Sequence, residues 1–283
     1  MTSLLQISDP HFGTERPRVV AALLRFADAM RPDVVILSGD ITQRARRHQF
    51  AQARAFMNTF GATPTVVVPG NHDIPLFDPF ARLFRPYANH ARAFGAELEP
   101  SFESRDVLVI GVNTTRAYRH TDGEVSTEQI GRVAVRLAAA SAAQLRVVVT
   151  HHPVAVTRVH DENNLLHGRA RAVQCWARAG VDLIVGGHVH LPYVVPLHDA
   201  FAGIGRRVWA VQAGTALSSR TRRSIGNSVN LIRYSTDASD AFARRALVER
   251  WDYSDTSERF ERMACHDLAL DGAAQGALAA PAG

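Results

Sequence analysis

Five short polar segments, each placed directly after a run of aliphatic residues, constrain this chain more than any other feature. They are Asp9-Pro10-His11 after residues 4–7, Gly39-Asp40 after 34–37, Gly70-Asn71-His72-Asp73 after 66–68, His151-His152-Pro153 after 147–149, and Gly187-His188-Val189-His190 after 183–185. Short continuous apolar runs bounded by Gly, Pro and Asp read as strands buried on both faces. In layered α/β proteins the ends of such strands line one edge of a sheet, so loops far apart in sequence meet in space. Taken singly, a Gly-Asp or a His-Pro is an ordinary turn. Five such loops in order, all carrying carboxylate, amide or imidazole groups, point to one metal site.

The donor types specify the chemistry. Mn, Fe, Co and Zn accept carboxylate, amide oxygen and imidazole, and the set lacks the thiolates of a structural zinc site. Two ions held about 3.5–4 Å apart need a group that bridges them, and a carboxylate does this; Asp40 is the natural bridge. Two carboxylates, Asp9 and Asp40, against two divalent ions leave a surplus of positive charge. That surplus suits the negative charge that develops on a phosphoryl group in its transition state.

The five blocks resemble the signature of the calcineurin-like metallophosphoesterases, which runs D-x-H, G-D, G-N-H-D/E, a His loop and G-H-x-H. All five occur in order across roughly residues 1 to 190. The resemblance implies a metallo-dependent phosphatase fold, a four-layer α-β-β-α sandwich of mixed sheets with flanking helices. It also implies two divalent ions: Asp9, His11, Asp40 and His190 on one, Asp40, Asn71, His151 and His188 on the other, with Asp40 shared. A hydroxide bridging the ions would be the nucleophile. His72 is implied to be no ligand but a catalytic group beside the scissile phosphate, with Asn71, His72 and Arg44 touching substrate. The His-His-Pro form of the fourth block is most similar to bacterial class III cyclic-nucleotide and glycerophosphodiester phosphodiesterases.

One position departs from many relatives. Gln43 stands three residues after Asp40, where an Asp is common, and Arg44 follows at a position that is Arg in the phosphoprotein phosphatases. Gln43 carries no charge to orient His72, so support for that ring is expected from elsewhere, with Asp73 as the candidate. His152 is expected to lie behind the ligands or to be packed. His120, His160, His167 and His198 are expected at the surface or rim, with His160 or His167 able to face substrate.

At 283 residues and 46% hydrophobic, the chain is long enough for one substantial domain, expected over 1–253. A C-terminal extension over 254–283, largely flexible, should follow, with a short helix around 259–265 and a disordered Ala/Gly-rich tail beyond Asp267. No apolar run approaches the roughly 20 residues needed to span a bilayer. With no leader-like start, the expectation is a cytoplasmic protein. Cys175 and Cys265 make no disulfide framework and no metal-spacing motif.

The formal charge is +5, and all 32 basic residues are Arg. A positive field would draw anionic phosphoesters to a site. The Arg clusters around 44–47, 169–171, 206–207 and 220–223 read by default as solvated surface. Aromatic residues are not interleaved with them, so no specific nucleic-acid binding is expected. The expected partner is a small phosphoester substrate, and the chain could form a homodimer.

Helices are expected over 17–30, 48–60, 126–140 and 169–179. Pro17 suits an early helical position, Ser126 with Gln129 forms a capping box, and Gly180 ends the last helix. Further strands are expected over 107–112 and 208–211, and a closing hairpin pairs 228–234 with 242–251 through the polar turn 235–240. The aromatic segment 74–102 reads as a packed helical insertion, or else as a cap that would shape specificity. The function expected is hydrolysis of phosphodiesters such as cyclic nucleotides. A UDP-diacylglucosamine-type pyrophosphatase and a non-catalytic scaffold on the same fold are the alternatives.

Overall fold

The fold follows from where alternate residues of each strand point. The computed structural model describes residues 1–222, 225–236 and 244–272. In the first half, β1 (Thr2–Ile7), α1 (Pro17–Met30), β2 (Val34–Ser38), α2 (Arg47–Asn58) and β3 (Thr65–Val68) alternate strictly. Parallel β1, β2 and β3 put Leu5, Ile7, Val35 and Leu37 against α1 and α2, while Leu4, Val34, Ile36 and Val68 point the other way. A period of two in strands, with both faces apolar, thus builds a helix layer on one side and a second sheet on the other.

The second sheet uses the same device. After α3 (Pro79–Phe84) and α4 (Ala88–Phe94) come β4 (Ser101–Glu103), β5 (Val107–Gly111), α5 (Thr127–Ala139), β6 (Leu145–Val149), α6 (Arg169–Ala179), β7 (Leu183–Gly186), β8 (Tyr193–Pro196) and β9 (Trp209–Gln212). Val107, Val109, Val147, Val149 and Val185 meet the first sheet, and Leu108, Ile110, Val148 and Ile184 pack under α5 and α6 around the fully buried Trp176. The chain then returns through β10 (Ser228–Thr236), β11 (Arg244–Ser254) and β12 (Arg259–Leu270). The sheet orders are β12-β11-β10-β1-β2-β3 and β4-β5-β6-β7-β9-β8, both mixed, with helices outside. This is the expected four-layer sandwich.

The caps read from sequence are present. Ser126 accepts from the Gln129 amide and Gln129 returns the bond, and Gly180 takes the left-handed conformation, φ 105°, at the end of α6. Three expectations change. The helix expected over 259–265 is the strand β12, and the extension expected to be flexible from 254 continues the first sheet as far as Leu270. Charged residues and a register shift opposite Arg250 and Trp251 mask the alternation, which buries Phe260 against α1 before the shift and Leu268 and Leu270 between the sheets after it; Arg245–Asp267 and Arg262–Glu249 pairs hold the strand across the hairpin. The tail from 273 to 283 and most of the expected turn 235–240 lie outside the described residues. The segment 74–102 divides in two: α4 packs, with His90 and Phe94 against Phe50, whereas α3 leaves Phe80, Leu83 and Phe84 exposed.

Candidate metal centre

All five polar loops leave the carboxyl ends of parallel strands. Asp9 and His11 follow β1, Asp40 follows β2, Asn71 and His72 sit in a turn after β3, His151 follows β6, and His188 and His190 follow β7. Because the two sheets face each other, the loops of one close over the loops of the other. Asp9, His11, Asp40, His188 and His190 all adopt positive φ, between 44° and 73°. Such angles are uncommon outside glycine and persist where surrounding contacts impose them, as at functional sites.

The glycines beside them are needed for close approach. Gly39 has φ +90°, and a Cβ there would collide with Nδ1 of His151. A Cβ on Gly187 would collide with Ser8 Oγ and Asp9 Oδ2.

Donors converge in two groups that share Asp40. His11 Nε2 lies 3.6 Å from Asp40 Oδ2, 3.9 Å from Asp9 Oδ1 and 3.0 Å from His190 Nε2, and His190 Nε2 lies 3.2 Å from Asp9 Oδ1. On the other side, His151 Nε2 is 3.3 Å from both Asp40 Oδ1 and Asn71 Oδ1. One oxygen of Asp40 therefore faces each group. The ring orientations are set from behind: His151 Nδ1 donates to Ser38 O at 2.9 Å and His190 Nδ1 to Arg220 O at 2.7 Å, which turns each Nε2 inward. Asp9 is held by Ser8 Oγ and the His188 amide, and Asp40 by the His72 amide.

The donors fit divalent ions. His188 donates Nε2–H to Asn164 Oδ1, and its Nδ1 is buried with no hydrogen-bond partner among the described residues. A buried polar atom without a partner is costly, and a metal ion would satisfy it. His152 also lies beside His151 and His188, but Thr114 Oγ1 and Thr121 O occupy its two ring nitrogens.

Electrostatics agree with this. Burial pushes the His11 imidazole down to about 3 and, helped by His151, that of His188 to about 4, so both stay neutral with a lone pair available. At His151 burial is outweighed by the Asp40 carboxylate, which raises the ring to about 9. Burial would raise Asp9, but His190 brings its carboxyl down to about 2; His151 and His72 likewise hold Asp40 well below the usual carboxylate range against its burial. Two ionised carboxylates beside the neutral rings of His11 and His188 suit a cation, and a bound cation would displace the proton that Asp40 favours on His151.

His72 stands outside the donor groups. Its Nδ1 donates to Gln43 O at 3.0 Å, and its Nε2 faces Arg220 Nη1 at 3.1 Å. The support expected from Asp73 is absent: that carboxylate instead accepts from the Ile41, Thr42 and Gly70 amides and so clamps two loops together. Arg44 lines a cleft of about 190 Å³ with Asn71, His72, Leu76 and His120, its guanidinium over the Phe77 ring at 5.1 Å. His160 contacts Arg222, His167 binds Asp122 at 2.7 Å, and neither meets the donor groups. A larger groove of about 470 Å³ between β4 and α5 contains none of the donors.

Arg220 was not singled out by sequence, because its cluster read as solvated surface. Its loop nevertheless follows the strand β9 and a Gly-Thr pair, as the ligand loops follow theirs, and that repetition was the available signal. Thr215 Oγ1 fastens the loop to Asp9 O at 2.6 Å, and Arg220 Nη1 also reaches Gln43 Oε1 at 3.2 Å.

The family model described as "Calcineurin-like phosphoesterase" matches residues 2–192. Among solved structures, a purple acid phosphatase, PPD1, from yellow lupin (Lupinus luteus) seeds aligns with TM-score 0.69 and 14% identity over 95% of this chain and 54% of its own. This chain thus spans about half the length of the lupin protein. A dimetal phosphatase from Danio rerio aligns with TM-score 0.63 and 13% identity over 95% of this chain and 98% of its own. At these identities the likeness is one of fold. No curated protein matches the chain by sequence.

Proposed function

Since the chain belongs to the calcineurin-like phosphoesterase family, we propose that it is a metal-dependent phosphodiesterase acting on small phosphodiesters such as cyclic nucleotides. The observation that carries this reading is the placement of Asp40, one carboxylate oxygen toward each of two donor groups. Asp9, His11, Asp40 and His190 would hold one divalent ion, and Asp40, Asn71, His151 and His188 the other. Bound there, the ions supply Lewis-acid charge and acidify coordinated water.

The chain's own groups supply the rest. Arg44, which lines the cleft, and Arg220, beside His72, offer cations to the non-bridging phosphoryl oxygens. His72, held at Nδ1 by Gln43 O, would take a proton from solvent water at Nε2 and pass it to the leaving alkoxide. When Arg220 turns to a phosphoryl oxygen, Nε2 is released for that role. Donors for both ions lie together, and Nδ1 of His188 has no hydrogen-bond partner among the described residues, which argues against a scaffold. A cytoplasmic location and a homodimer remain part of this proposal.

Hydrolysis of bis(p-nitrophenyl) phosphate with Mn²⁺, before and after Asn71→Ala and His190→Ala, tests it. Each variant should lose most of the activity. Undiminished turnover in both would sink the assignment. A panel of cyclic nucleotides, glycerophosphodiesters and UDP-linked lipids then ranks the substrate classes, including the pyrophosphatase alternative.

A further inference from the structure

The mouth of the site carries an apolar surface that catalysis does not use. Leu76, Phe77, Phe80, Leu83 and Phe84 are 41% to 75% exposed, all within nine residues of chain at and around α3. Soluble proteins expose single apolar side chains routinely, but contiguous clusters mark interaction surfaces. This cluster is built, not frayed. Asp78 caps α3 by accepting from the Ala81 amide, and Arg82 ties the helix to Pro75 O and to Arg119 O of the facing loop. Tyr118, next to that anchor, is 70% exposed and lengthens the apolar rim.

The α3 segment itself carries a net positive charge, Arg82 and Arg85 against Asp78. Arg44 lies over the Phe77 ring at 5.1 Å and Arg85 over the Phe80 ring at 5.9 Å. From residue 74 to 85 the only acid is Asp78, whose carboxylate is engaged as the cap. Aromatic rings interleaved with guanidinium groups suit the boundary of an anionic lipid layer: the rings enter the acyl region and the cations meet lipid phosphates. Leu76 and Arg82 also line the cleft that holds Asn71 and His72, so the surface is continuous with the site.

We infer that the α3 rim docks on an anionic phospholipid surface and brings the mouth of the site to phosphoesters at the membrane. The attachment is peripheral, since among the described residues no helix is long and apolar enough to cross a membrane. It goes beyond the phosphodiesterase reading and does not need it.

Co-sedimentation of metal-free protein with phosphatidylcholine vesicles, with and without about one third phosphatidylglycerol, tests this. Wild type should sediment with the anionic vesicles only, and less as salt rises. Phe80→Ser/Phe84→Ser, both exposed and outside the cleft, should lower partitioning at least about tenfold while turnover of bis(p-nitrophenyl) phosphate by the metal-loaded enzyme is unchanged. Arg85→Glu should act in the same direction. The inference is overturned if wild type ignores anionic vesicles, or if the double variant binds them equally. It is also overturned if wild type is a dimer that the double variant makes monomeric while vesicles are ignored, since the occupant is then a second copy. Vesicle binding without any hydrolysis would sink the phosphodiesterase reading and leave the docking surface standing.

Discussion

Acidifying the metal-free protein places a defined cost on one buried ring. His90, on α4, is fully buried between Phe50 and Phe94, and neither ring nitrogen has a hydrogen-bond partner among the described residues. Burial without compensation pushes its imidazole down to about 4, against 6.5 for the free group. Between those values the unfolded chain binds a proton that the folded chain refuses, so the stability is present above the unfolded pKa and is lost as the pH falls. At about pH 5.5 the unfolded ring is about ten parts protonated to one and the folded ring almost neutral, a loss of about 1.4 kcal/mol relative to about pH 8. Below the folded pKa the loss levels off at about 3 kcal/mol, because each pH step between the two values adds about 1.4 kcal/mol. Urea unfolding of EDTA-treated wild type and His90→Leu at about pH 8 and about pH 5.5 isolates it, because the histidines of the metal centre titrate in both proteins and cancel in the difference. His90→Leu should lose about 1.4 kcal/mol less than wild type on acidification. Parallel pH dependence in the two proteins would refute the reasoning and mean that the ring reaches water.

Three other outcomes follow from contacts on the opposite side of the fold and at the site. Gly187→Ala forces a Cβ against Ser8 Oγ and Asp9 Oδ2; metal content by elemental analysis should fall about 10–100-fold in affinity, the usual cost of losing ligand support, and wild-type binding would show that the loop yields. Arg220→Met removes the cation beside His72 Nε2 and should cut kcat/KM on bis(p-nitrophenyl) phosphate by roughly 10²-fold with metal content unchanged; activity at the wild-type level removes Arg220 from the mechanism. Asp182 is buried and accepts from Arg146, Arg206 and Arg244. Asp182→Asn leaves three guanidinium groups without their anion and should cost about 3–5 kcal/mol in denaturant unfolding, the range for a broken buried pair; a loss below about 1 kcal/mol would mean that water already screens the cluster.

What was legible in the sequence was local. The apolar runs, the capping box at Ser126, the terminating Gly180 and the five polar blocks each depend on neighbours within a few residues, so strands, helices and ligand loops of the centre could be located from them. β12 is illegible because its charged residues and the register shift opposite Arg250 and Trp251, which moves burial from Phe260 on one face to Leu268 and Leu270 on the other, break a period of two. The division of 74–102 is illegible because α3, which carries the larger apolar side chains, is the exposed helix, and only the position of Phe50 on α2 decides that α4 is the one covered.

The remaining properties exist only when the sheets meet. Which ring nitrogen of His151 or His188 faces inward is set by Ser38 and Asn164, from distant loops. That His152 is consumed by Thr114 and Thr121, that Asp73 clamps loops while Gln43 O and Arg220 hold His72, and that Arg220 reaches the site at all are facts of through-space proximity between segments up to about two hundred residues apart. Sequence patterning determined the layers and the donors, because hydrophobic period and residue chemistry are carried by each segment alone. The tertiary structure decided their roles, because a hydrogen bond is made by a few tenths of an ångström that no local pattern encodes.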